Sequence, residues 1–136
     1  MRNRESLIRL HKFQVDEKRR KVAELEIMLG EFRQRERDLE AQVEEEQRKA
    51  GISDVGHFAY PMFAKSVIRR RENILESIEG IERQLETAKE ELAGAFRELK
   101  KYELLESSRR RKVRKEAMLL EQSELDEIAL TIHRRH

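Results

Sequence analysis

From Ile8 onward, every seventh position reads Ile8, Val15, Val22, Leu29, Glu36, Val43 and Ala50, and six of these seven are apolar. A companion column three places later reads His11, Lys18, Leu25, Phe32, Leu39 and Glu46. Spacing that alternates three and four residues keeps a narrow seam facing one partner helix. The pattern therefore predicts a first helix over about 3–50, with its best stretch from Val22 to Val43.

Residues 51–61, GISDVGHFAYP, bring together two of the five glycines, a Ser-Asp pair and the only proline. This is the one clear breaker, and it predicts a turn at about 51–60. Tyr60 is steered away from the α region by the proline after it, whereas Pro61 fits a first helical turn, where its missing N–H has no partner to lose. Ser53 or Asp54 alternatively caps a short helical turn inside the connection.

A second seam follows over about 61–132, with Ile78, Leu85, Leu92 and Leu99 in one column and Val67, Ile74, Ile81, Ala88, Ala95 and Tyr102 in the other. Past Tyr102 it degrades through Glu106 and Arg109, then resumes in a shifted frame as Met118, Leu125, Ile128 and Ile132. Such a stutter suggests a change of partner. The expected fold is all-α: one coiled-coil hairpin over residues 1–136, two long antiparallel helices with a C-terminal helical overhang. At 1.5 Å per residue the helices measure roughly 70 and 105 Å, so the second overhangs by about 35 Å. Residues facing each other have numbers totalling about 111, which sets the N-terminus beside Arg110.

That placement gives meaning to SSRRRKVRK at 107–115. Arg109, Arg110, Arg111, Lys112, Arg114 and Lys115, with Arg2 and Arg4 added, form a basic collar at the open end, and successive side chains turn by about 100° so that no flat patch results. Three readings stay open for the run: a solvated stretch, a contact for an acidic surface or ring pore, and nucleic-acid binding. The last lacks interleaved aromatic residues for stacking and any groove-reading module. At the turn, Phe58, Tyr60 and Phe63 either cap the seam or present an aromatic contact surface.

Composition narrows the rest. With 43% charged and 38% hydrophobic residues, the chain has too little apolar mass for a globular core, and its helix-forming residues suit an elongated coiled coil. Thirty basic against 28 acidic residues leave a net charge of +2, so electrostatic function must be local. There is no Cys, which excludes disulfides, thiolate chemistry and Cys-type metal sites. No signal-peptide run and no stretch of 18 consecutive apolar residues is present, so the chain reads as soluble. No phosphate loop, nucleophile elbow or zincin motif appears, and Glu44, Glu45 and Glu46 read as a solvated face. His133 and His136 offer two metal ligands without a third, and His57 stands alone; Met28, Met62 and Met118 read as packing residues. No catalysis, cofactor or metal is expected.

The opening SLIRLHKFQVDEKRRKVAEL, the loop beginning GIS with Tyr60 and Phe63 after it, and the late LDEIA at 125–129 resemble the FliJ family, small coiled-coil components of the flagellar type III export apparatus. The resemblance covers essentially the whole chain. It implies a two-helix hairpin similar to the γ subunit of rotary ATP synthases, acting as a coupling factor between the hexameric export ATPase (FliI-like) and the export gate FlhA. The ATPase regulator FliH and export chaperones are further implied partners, with no nucleic acid. The implied location is cytoplasmic, at the inner membrane of the flagellar base and peripheral to it through partners. The collar would enter the ATPase ring, and the turn end would face the gate. Family gate contacts fall on Phe63, Val67, Arg70 and Ile74, where Arg70 replaces a small residue and Ile74 a polar one. A generic adaptor or holdase-type chaperone, gripping clients with Met118, Leu125, Ile128 and Ile132, is the rival reading.

Overall fold

The computed structural model describes residues 2–50 and 60–135, and over them the chain forms two helices and no strand: α1, Arg2–Ala50, and α2, Tyr60–Arg135. Most of the predicted turn, with the cap candidates Ser53 and Asp54 and the residues His57 and Phe58, lies outside the described residues. The helices pair antiparallel as a hairpin. Glu5 in the first turn of α1 and Arg48 and Lys49 in its last suit the helix dipole, and Pro61 occupies the first turn of α2.

Contacts group the chain into two units, Asp16–Gly94 and Met1–Val15 with Ala95–His136. In the first, Leu25 and Leu29 of α1 pack with Ile78, Ile81, Leu85 and Ala88 of α2, and Val22, Phe32 and Ile74 lie against this cluster. The two columns read from the sequence are what α1 buries there: Val22, Leu25, Leu29, Phe32, Glu36, Leu39, Val43 and Glu46 are all buried or half-buried, while the residues between them are exposed. Burying one Leu or Ile contributes about 1.5–3 kcal/mol, so the seam dominates. Ion pairs flank it: Arg71 with Glu40 at 2.6 Å, Arg33 with Glu82 at 3.2 Å and Lys18 with Glu91 at 3.1 Å. The hydrogen bond from Lys18 also lowers the Glu91 carboxyl below its ordinary range. Such exposed pairs add little stability, but they favour one register. Arg71 and Glu40 have numbers totalling 111, the expected alignment.

In the other unit Val15 and Leu99 are buried, and the His11 ring stacks on Tyr102 with centroids 4.6 Å apart. His11 Nδ1 is buried there without a hydrogen-bond partner. From Arg110 to Arg135 every residue of α2 is exposed, including Met118 at 69%. Among the described residues no helix is long and apolar enough to cross a membrane, and no group of three or more potential ligands could hold a metal ion.

Leu85→Ala, inside the cluster, is expected to lower unfolding free energy in urea by about 2–4 kcal/mol, whereas Leu125→Ala, on the exposed stretch, should stay within about 0.5 kcal/mol. Gly30 and Gly80 lie in helix interiors where an added Cβ would meet nothing within 4 Å. Alanine at either place should raise the urea midpoint by an equivalent of about 0.5–1 kcal/mol, and a lowered midpoint would show that the site needs glycine.

Candidate functional site

The seam does not stop where its apolar pattern stops. Glu106 falls in the column of Ile78, Leu85, Leu92 and Leu99, and α2 carries it into the same inward position, where only 8% of its surface is exposed. A carboxylate so placed needs donors. Arg109 supplies two, from Nη2 to Oε1 at 2.9 Å and from Nε to Oε2 at 3.2 Å, and Arg110 Nε donates to Oε1 at 3.2 Å. From α1, Arg4 approaches Oε2 at 4.0 Å, and Glu5 lies 3.9 Å from Arg110. The hydrogen bond from Arg109 is the largest cause that holds the Glu106 carboxyl at about 2, burial opposing it and the charges of Arg109 and Arg110 adding to it. The same bond raises the Arg109 guanidinium above its ordinary value.

This splits the predicted collar. Arg4, Arg109 and Arg110 are drawn onto Glu106 and Glu5, so the expectation of charge facing all directions does not extend to them. The i,i+3 and i,i+4 spacings of Arg109 and Arg110 from Glu106 bring them over it. Arg111, Lys112, Arg114 and Lys115 are exposed and make no ion pair among the described residues. The side chain of Arg2 lies outside the described residues.

At the other predicted surface, Val67 is buried in the seam at 6% exposure, and Ile74 is half-buried against the core cluster. Phe63 is half-buried and Arg70 exposed, while Phe58 and the side chain of Tyr60 lie outside the described residues. Beside them Ile68 and Leu75 are exposed. Sequence reading passed over these two because they fall outside both columns. It passed over Glu106 because a carboxylate at a seam position reads as a break, although Arg109 three residues on was the available sign of a partnered charge.

The folded value of Glu106 lies below its ordinary 4.5, so its contribution to stability is complete above about pH 4.5 and is lost as pH falls through about 2. Thermal melts from pH 5 to pH 2 should therefore show a shallower loss of stability for Glu106→Gln than for the native chain. Equal slopes would mean that this carboxyl titrates normally.

Comparison with known protein families matches the sequence model described as Flagellar FliJ protein to residues 3–136, essentially the whole chain. No curated protein matches the chain. No solved structure matches it either. On the strength of that match the chain belongs to the FliJ family and is a component of the flagellar protein export apparatus.

Proposed function

We propose that this chain couples the hexameric export ATPase to the export gate FlhA by protein contacts alone, catalysing no reaction itself. The observation that carries the reading is the set of exposed cations Arg111, Lys112, Arg114 and Lys115, which make no ion pair among the described residues and stand on α2 just past the pairing of Arg110 with Glu5 of α1. Cations that are already saturated by Glu106 have little left for a partner, whereas these four keep their full attraction for an acidic surface. A helix charged on successive faces can also meet several similar surfaces of a ring at once.

The gate contact belongs near the start of α2. Val67 and Ile74 pack inward, so a partner there would meet Phe63 and Arg70 with the exposed Ile68 and Leu75 beside them. Phe58 and Tyr60 belong to the proposed contact on the sequence reading alone. Work at the cytoplasmic face of the inner membrane, close to FliH and the export chaperones, follows from binding these partners.

The test is co-purification with the export ATPase of the same organism, followed by hydrolysis rates with and without the chain. The native chain is expected to bind and to stimulate hydrolysis. Arg111→Glu combined with Arg114→Glu and Lys115→Glu should abolish stimulation and leave helicity unchanged, since none of the three holds the fold. Arg109→Ala is the wrong probe, because it strips donors from a buried carboxylate and perturbs the hairpin end. Failure of the native chain to bind would leave the generic adaptor reading in its place.

A further inference from the structure

The two flanks of the seam at the N-terminal end of α1 are built differently. One is charged, with Glu5 facing Arg110 at 3.9 Å beside a small cavity of about 260 Å³. Leu7 stands about 200° round α1 from Glu5, and Leu105 about 140° round α2 from Arg110, so these leucines belong to the other flank. Among the described residues the ion pair that bridges the helices there, Arg4 with Glu106, is long at 4.0 Å. Beside it the helices leave a larger groove of about 430 Å³, floored by Leu7, Tyr102 and Leu105 and rimmed by Arg4, Arg109 and Lys112.

Its charge is unbalanced. Glu106 is the one carboxylate in the lining, and both its oxygens already accept hydrogen bonds from arginines of its own helix. Arg4 reaches Glu106 only at 4.0 Å, and Lys112 makes no ion pair among the described residues. Leu105 is 59% exposed, although α1 passes beside it. The groove thus combines uncovered apolar surface with one cation, Lys112, that has no counter-charge among the described residues. A bare phosphate would use the rim and leave the floor wet; a purely apolar group would do the reverse.

We infer that this groove seats a large apolar side chain carried next to a carboxylate on the export ATPase, the apolar group on Leu7, Tyr102 and Leu105 and the carboxylate on Lys112. The inference rests on the ATPase reading of the basic run and gives that contact a specific anchor. Long-range attraction by the exposed cations would bring the surfaces together, and the groove would fix the docked position.

Titration of the purified ATPase against the full-length chain tests it, with Leu105→Ser and Lys112→Glu as groove variants and Leu130→Ser and Arg97→Glu as controls of matched chemistry elsewhere on α2. All four positions are exposed, so helicity by circular dichroism should be unchanged. Each groove variant is expected to weaken binding about tenfold or more, and Lys112→Glu should also flatten its salt dependence. The controls should stay within about twofold. Native binding that the groove variants leave intact would overturn the inference while the coupling role stands. Absence of binding by the native chain would end both.

Discussion

Two chains of side chains seven residues apart, one column pair on each helix, have no apolar neighbour to bury against except each other. Helices this long and this polar gain little from propensity alone, and nucleation in water is costly, so pairing along the seam is the condition under which the rest of the fold exists. Leu25 and Leu29 closing on Ile78, Ile81, Leu85 and Ala88 meet that condition. What lies outside the columns is free to be charged, and that freedom explains how 43% of the residues can carry charge without disrupting the fold.

A uniform leucine seam would tolerate sliding by a heptad. The polar insertions oppose it. Lys18 meets Glu91, Arg33 meets Glu82, and in the other unit His11 stacks on Tyr102 before Glu106 closes the column. A shift of seven residues would separate each of these partners and leave Glu106 facing α1 without Arg4 near it. Polar partners in and beside the seam of paired helices serve register better than they serve stability. The same insertions make the N-terminal end of α1 the place where fold and charge meet.

Much of this was legible in the sequence. The heptad columns named the buried residues of α1 nearly one for one, because a period that persists over many turns is set by a single partner face. The facing register near 111 followed from the position of the breaker alone. Side-chain commitments were not legible. Composition counts Arg109, Arg110 and Arg111 as equals, yet only the spacing to an inward carboxylate separates the two that are occupied from the one that is not. Likewise Val67 and Ile74, read as contact residues through the family resemblance, are seam residues by their column, and the column decided their burial.

One property of α2 reaches further than its packing. The helix runs without interruption from Tyr60 to Arg135, and in its C-terminal part it is anchored by Leu99, Tyr102 and Glu106. Each residue of an α-helix advances the azimuth by about 100°, so the compass bearing of every later side chain is locked to that anchored face. The exposed cations are therefore indexed as teeth on a shaft are indexed. Inserting a single residue after Arg110 would keep charge, composition and helicity almost unchanged, yet swing the whole distal set through more than a quarter turn. For a partner that reads direction as well as charge, evolution can add or remove residues here only in steps that restore the phase, near multiples of seven or eleven.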